Sequence, residues 1–167
     1  MQVGGISFKT GKTESLDIIG ASLLWEFLKL RYDNIELTQH FLNFIHDAEF
    51  KILVRKGLSV TLERQVNLLE KELNELKIQL PVRPPKSINT DIGSELFEDR
   101  FIYRQIYTNV QAAFYLHARG IFAMTFNDKL RTLFIGFLKE EADIYDDMVK
   151  YGKLKGWIQP SPIHKPI

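Results

Sequence analysis

The residues of this chain that could bind a metal ion are a few histidines and glutamates within helical patterns. In a helix bundle, a two-metal site takes a glutamate from each of two helices and a Glu-x-x-His pair from each of the other two. None of the four histidines follows a glutamate by three positions. We therefore expect no cofactor and consider a di-metal site improbable; the weak candidate ligands are Glu36, His40, Glu63, His117 and Glu141.

Glu36 and His40 stand four positions apart, so they share one face of a helix. Lys29, Asp33 and Asn43 lie on the same stripe and make it polar. We interpret Glu36 and His40 as a solvated pair rather than as half of a metal site.

His117 lies on an otherwise apolar stripe and is predicted to be buried. A buried histidine can serve as a metal ligand, as a proton shuttle or as a hydrogen-bonded core side chain. We favour the core side chain, because the pattern shows no carboxylate at the height of His117. The stripe consists of Tyr103, Ile106, Val110, Ala113, His117, Ile121 and Met124.

Glu63 and Glu141 each follow a tight helix–helix turn by about fifteen residues, and we expect the two turns to lie at the same end of the bundle. Arg31 should lie at a similar level. A buried carboxylate must be paired, protonated or metal-bound. We predict an ion pair of Arg31 with Glu141 or with Glu63, and keep a degenerate metal level as the alternative.

Thr10-Gly11-Lys12-Thr13 ends like a phosphate-binding loop. That motif needs a glycine five positions before Gly11, where Ile6 stands, and it follows a strand. We expect no preceding strand here and no nucleotide binding.

Four long helices follow from the apolar spacing and from the breaks between helices. Prolines after Leu80 end the second helix, and residues through Gly93 predict an extended crossover. Asn127 is the expected cap of the fourth helix, and Gly156 is its expected stop. The predicted helices run from about Ile19 to Ile45, from Asp47 to Leu76, from Ser94 or Glu95 to Met124, and from Asn127 to Leu154.

These helices predict one all-α, up-down-up-down four-helix bundle with a long crossover between the second and third helices. We assign residues 1–15 to a flexible arm, 16–156 to the bundle and 157–167 to an extended proline-rich tail. Trp157 and Ile158 should pin the start of the tail to the bundle.

The apolar pattern of the first helix pair recurs 80 positions later, and Lys51 and Arg131 match at that offset. Internal duplication would produce this match. Two amphipathic helix pairs that share a register by chance would also produce it.

Composition narrows the functional classes. The net charge is +1 with 26% charged residues, which argues against a nucleic-acid-binding domain. The absence of cysteine excludes disulfides and thiolate metal sites. No apolar run reaches signal-peptide or membrane-span length, so we expect a cytoplasmic protein.

The order of short motifs from about residue 20 to 165 resembles a family of ferritin-like helix-bundle proteins from spore-forming bacilli, related to spore coat protein F. The resemblance implies a ferritin-like fold and a sporulation or spore-coat role, and it brings no established activity or ligand set. The motifs are Leu24-Trp25, Phe41-Leu42-Asn43-Phe44-Ile45, Asp47-Ala48-Glu49-Phe50-Lys51, Leu80-Pro81, Leu96-Phe97-Glu98-Asp99-Arg100-Phe101, Asn127-Asp128-Lys129-Leu130-Arg131 and Lys155-Gly156-Trp157-Ile158.

We therefore predict a structural or binding protein rather than an enzyme, with a spore-coat or other protein as its partner. The alternative is a ferritin-like metal-binding protein or oxidase with a degenerate carboxylate site. Aromatic residues such as Tyr115 and Phe122 extend the apolar surface of the third helix beyond one seam, which predicts a homodimer.

Overall fold

The computed structural model describes residues 2–3, 6–7, 15–85, 88 and 97–159. In this part of the chain every long element is helical, as predicted, and no helix is long and apolar enough to cross a membrane. The helices are α1 Ile18–Phe44, α2 Ala48–Lys56, a π-helical segment Gly57–Leu62, α3 Glu63–Glu75, α4 Asp99–Ala123 and α5 Asp128–Lys155.

A small antiparallel pair of strands lies near the N-terminus, β1 Gln2–Val3 and β2 Ile6–Ser7. The expectation that no strand precedes Thr10 was therefore wrong. The segment Thr10–Thr13 itself lies outside the described residues, and the flexibility of residues 1–15 stays a prediction.

The second predicted helix is one continuous rod of α2, the π-helical segment and α3. The third helix begins at Asp99 with Glu98 as its N-cap residue, and not at Ser94 or Glu95 as predicted. The first, second and fourth helices end within one residue of their predicted ends. Side-chain oxygens of Asp17, Asp47 and Asn127 accept the backbone N–H three residues on, which fixes three helix starts.

Gly156 ends α5 in the left-handed conformation, with φ of 67°. Glycine adopts this conformation without a steric penalty, so the predicted stop is confirmed. Directly beyond it, the Trp157 ring packs against the rings of Phe50, Tyr103 and Tyr151. These contacts pin the start of the tail as expected.

The helix directions differ from the predicted up-down-up-down order. The start of α1 lies beside the end of α4, where Gly20 faces Met124. The end of α1 lies beside the start of α4, where the His46 N–H donates to Asp99. α1 and α4 are therefore antiparallel. α3 is also antiparallel to α1, because Tyr32 bonds Glu70 and Trp25 bonds the Gln79 carbonyl. The order is therefore up-down-down-up.

The crossover explains this order. The Gln79 carbonyl accepts from the Trp25 side chain near the start of α1. The Ile88 carbonyl accepts from the Asn43 side chain near the end of α1. Eighteen helical residues between Trp25 and Asn43 rise roughly 27 Å. Gln79 and Ile88 are nine positions apart, a separation with which an extended chain can span roughly 30 Å. The chain thus returns along α1 before α4 begins, so α3 and α4 run in the same direction.

Two apolar clusters fill the bundle, one toward the start of α1 and one toward its end. The first surrounds Leu24, Phe27, Leu69 and Phe134, and the second surrounds Phe50, Tyr103 and Met148. On α3, Leu69 and Leu73 are fully buried, whereas Leu76, at its C-terminal end, is exposed.

The two tight turns share their interactions at the 80-residue offset. Lys51 Nζ donates to the Ile45 carbonyl, and Arg131 Nη1 donates to the Thr125 carbonyl, six residues back in both cases. The caps Asp47 and Asn127 stand at the same offset. The repeated pattern therefore extends from apolar positions to polar contacts.

Candidate functional site

Three buried polar side chains converge at mid-bundle from α1, α4 and α5. Arg31 Nη2 lies 2.8 Å from His117 Nε2 and 3.2 Å from Glu141 Oε2. His117 Nε2 lies 3.0 Å from the same Glu141 oxygen. Arg31, His117 and Glu141 are 3%, 0% and 4% exposed, so the network is isolated from bulk water.

Aromatic rings from two helices frame the network. The Arg31 guanidinium carbon lies 4.9 Å from the centroid of the Phe27 ring, one turn earlier on α1. The His117 ring lies 5.1 Å from Phe27 and 5.9 Å from Phe137, centroid to centroid. These apolar walls reduce the effective dielectric constant and strengthen the Arg31–Glu141 attraction.

Burial determines the charge state of the network. Desolvation lowers the pKa of His117 below its usual 6.5; the Arg31 charge lowers it further, and the bond to Glu141 opposes both effects. His117 is therefore neutral at pH 7. Burial also lowers the pKa of Arg31, opposed by Glu141, but a guanidinium stays protonated in proteins. The network is an Arg31–Glu141 ion pair beside a neutral imidazole.

The neutral imidazole leaves donors and acceptors unbalanced. In one tautomer His117 Nε2 accepts a hydrogen bond from Arg31, and in the other it donates one to Glu141. It therefore satisfies only one of these two partners at a time. His117 Nδ1 and Arg31 Nε are buried without a hydrogen-bond partner. Such unsatisfied atoms are uncommon in cores and often mark a site that binds something else.

This network does not fit a di-metal carboxylate site. It offers one imidazole and one carboxylate, and a guanidinium contacts both potential ligand atoms. A metal cation bound there would stand beside the positive charge of Arg31. In the described residues, no group of three or more His, Asp or Glu side chains is placed to hold a metal ion.

The other sequence candidates do not join the network. Glu63 is a half-buried residue at the start of α3, and Arg31 pairs with Glu141 instead of Glu63. Glu36 and His40 are half-buried on α1, and neither belongs to the polar contacts around Arg31. Of the two predicted pairings of Arg31, the one with Glu141 is confirmed.

The expectation that His117 has no carboxylate at its height was wrong. The two tight turns lie at opposite ends of the bundle, and not at the same end as expected. His117 and Glu141, however, flank the same α4–α5 turn, so their relative height depends only on how far each stands from that turn. Counting outward from Asn127 puts His117 ten residues before the cap and Glu141 fourteen after it. Both residues then lie within about one helical turn of each other, or roughly 5.4 Å.

Comparisons with known proteins give two matches. A family model described as "Protein of unknown function (DUF3231)" matches residues 6–166. The crystal structure of "a putative spore coat protein" from Bacillus halodurans C-125 matches with a TM-score of 0.84 and 23% identity, over 92% of this chain and 98% of that one. At this identity the likeness shows the fold alone. No curated protein matches the chain.

Proposed function

The chain belongs to DUF3231, a family of proteins of unknown function, and on that premise we propose that it is a ferritin-like bundle with a structural or binding role in the spore coat. In this proposal Arg31 takes the place of a metal centre. The protein is then not an oxidase.

Two features of the connection between α3 and α4 support a ferritin-like arrangement. Ferritin-like folds have one long crossover connection between two helical hairpins. This chain has one such connection between α3 and α4, and it runs along α1 for most of the bundle length.

The contacts of Arg31 are the observation that carries the proposal. In ferritin-like metal proteins, inward-facing glutamates and histidines are neutralised by the metal ions between them. Here Arg31 Nη2 contacts both His117 and Glu141 and supplies that positive charge. A guanidinium cannot change oxidation state or bind oxygen, so it can stabilise the bundle without redox chemistry.

The proposed location rests on the structural neighbour. That protein is described as "a putative spore coat protein", and the two chains share the fold along nearly their full lengths. We infer that this chain is made in the cytoplasm and becomes spore-associated, with another coat protein as its partner.

Elemental analysis of protein purified without chelators tests the absence of a metal centre. We expect less than about 0.1 equivalent of iron, manganese or zinc per chain, because Arg31 competes with any cation for the same oxygen and nitrogen. One equivalent or more of any of these metals would overturn this part of the proposal.

Arg31→Glu supplies a positive test. It places a second carboxylate beside His117 and Glu141, so that three side chains offer oxygen or nitrogen ligands, the number that a catalytic zinc site takes from the protein. We expect Zn²⁺ to raise the melting temperature of this variant and not that of the wild type. Arg64→Glu, at an exposed ion pair with Glu140, is the matched control and should not respond. If the variant folds and ignores Zn²⁺, Arg31 does not occupy a metal position.

Fractionation tests the location separately. An antibody against the chain should detect it in the coat extract of purified spores. Signal confined to the mother-cell cytosol would refute the coat assignment, and it would leave the conclusions on metal unaffected.

We also infer that a second copy covers the outer face of α4. Tyr115 and Phe122 are 80% and 78% exposed and stand two helical turns apart on one side. Exposed aromatic surface of this kind is typical of protein interfaces.

A further inference from the structure

A cavity of about 310 Å³ lies beside the Arg31 network, between α1, the π-helical segment, α4 and α5. This volume is at the lower end of the roughly 300–1,000 Å³ that small-molecule sites occupy. Half of its wall is apolar side chains, namely Leu37, Phe41, Leu53, Val54, Leu58, Val60, Leu62, Ile106, Val110, Ile144 and Met148.

The π-helical segment forms one wall of this cavity. Five of its six residues line it, all except Ser59. A π-helical turn is wider than an α-helical turn, and such turns occur frequently at functional sites. The second helix therefore departs from α-helical geometry where the bundle leaves space.

Arg31 supplies the polar end of the cavity. It lines the cavity while only 3% exposed, and its Nε has no hydrogen-bond partner. Its bonds to His117 and Glu141 both use Nη2. Arg31 therefore brings the positive charge of its guanidinium to the wall of the cavity, where an acceptor oxygen of a ligand is favoured.

The seam between the second helix and α5 provides the entrance. Polar side chains span it: Lys56 pairs with Asp147 at 3.7 Å, and Gln65 and Arg64 both contact Glu140. Lys56, Glu140 and Asp147 also line the cavity, and Lys56 and Val60 are exposed there. Exposed ion pairs contribute little to stability, so this edge can open at low cost.

The charges around the cavity select against ions. Two cationic residues, Arg31 and Lys56, face four carboxylates, Glu140, Glu141, Asp143 and Asp147. A ligand carboxylate would meet this negative excess, and a ligand ammonium would meet Arg31 at the inner end. An uncharged ligand avoids both repulsions and the desolvation of a charge.

We propose that the cavity binds one uncharged amphipathic molecule, with its apolar body against the π-helical segment and α5 and an acceptor oxygen toward Arg31. This proposal does not depend on the spore location or on the metal content. The proposed binding site is the cavity beside the network, and Arg31 and Glu141 of the network form part of the cavity wall.

Titration calorimetry with three eight-carbon probes tests the head-group preference. We expect octan-2-one to bind with one site per chain and a negative heat-capacity change, the mark of apolar burial. Octanoate and octylammonium should bind at least about tenfold more weakly, because each brings a charge into the cavity. No binding of octan-2-one, or equal binding of all three probes, would overturn the proposal.

Two substitutions locate the site. Leu58→Trp fills the cavity and Val60→Trp blocks its exposed edge, and each should weaken octan-2-one binding at least about tenfold. Val60 is 58% exposed, so its variant is expected to fold even if Leu58→Trp does not. Ile52→Trp, on α2 outside the cavity and 66% exposed, is the matched control. Equal binding by Val60→Trp and Ile52→Trp would place the probe elsewhere.

Discussion

Arg31 Nη2 joins two helices at one atom, because it contacts His117 of α4 and Glu141 of α5 from its position on α1. A charge buried to this degree is stable only while its partner is charged and close. The contacts of Arg31 with Glu141 and His117 therefore fix the relative heights of α1, α4 and α5. Apolar contacts alone would specify these heights less sharply.

Neutralising the buried carboxylate should destabilise the fold far more than neutralising its neighbour. Glu141→Gln leaves Arg31 as an unpaired buried charge, and we expect a loss of about 3–5 kcal/mol in the free energy of unfolding. Glu140→Gln affects a partly exposed pair with Arg64, so we expect a loss below about 1 kcal/mol. Urea denaturation of both variants measures this, and equal losses would show that the buried pair has no special role.

The neutral state of His117 predicts a loss of stability in mild acid. Its pKa is lower in the folded protein than the usual 6.5, so below that pH the unfolded chain binds the proton first. The contribution of His117 to the free energy of unfolding should be constant above about pH 6.5. Below that pH the free energy of unfolding should fall, with a slope of at most about 1.4 kcal/mol per pH unit. Denaturation at a series of pH values from 7.5 to 5 measures the slope.

Substitution of single histidines identifies the group responsible. His117→Gln should remove the slope, because glutamine does not titrate. His46→Gln should retain it, because the His46 side chain is exposed at 53%. A slope that persists unchanged in His117→Gln would mean that another group titrates.

At the scale of the elements, two glycines of the α4–α5 hairpin have opposite surroundings. A methyl group on Gly120 would overlap the Phe134 ring, whereas one on Gly136 would meet nothing within 4 Å. α4 therefore approaches α5 closely at Gly120, and Gly136 has no such role.

The same substitution at these glycines should act in opposite directions. Gly120→Ala should cost about 1–3 kcal/mol, since overpacking exceeds the gain in helix propensity. Gly136→Ala should stabilise the protein by about 0.5–1 kcal/mol through propensity alone. Melting temperatures of the two variants test this, and stabilisation by both would mean that the Phe134 ring yields without cost.

Helix positions could be predicted from the sequence because caps and stops act locally. Asn127 and Gly156 act as the spacing predicted. The π-helical segment could not be predicted, since Gly57 and the apolar positions after it fit an α-helix equally well. The start of α4 was predicted too early, because Ser94 is a preferred N-cap type, whereas Glu98, the N-cap residue of α4, makes no side-chain cap that a sequence pattern could reveal.

Helix direction is a property of the whole molecule that local signals do not encode. The proline segment predicted a long crossover but not its course, and the up-down-up-down order was assigned without a signal for that course. The Arg31–Glu141 pairing was still correct, because both residues lie near the middle of their helices, where reversing a helix hardly changes the height.

The assembly prediction also belongs to the whole molecule. We expect a mass of twice 19.5 kDa by light scattering at tens of micromolar, because the α4 face exposes Tyr115 and Phe122. The double substitution Tyr115→Glu and Phe122→Glu should give the monomer mass, and Ile52→Glu should not. A wild-type mass of 19.5 kDa throughout a concentration series would exclude the dimer.

The crossover also affects how fast the protein folds. Each hairpin can form from contacts near in sequence, but Arg31 meets partners 86 and 110 residues away, after the chain has returned along α1. Contacts across such separations form late, since loop closure precedes them. The contacts of Arg31 with His117 and Glu141 should therefore be absent from the transition state. Glu141→Gln is then expected to accelerate unfolding while the refolding rate stays nearly constant.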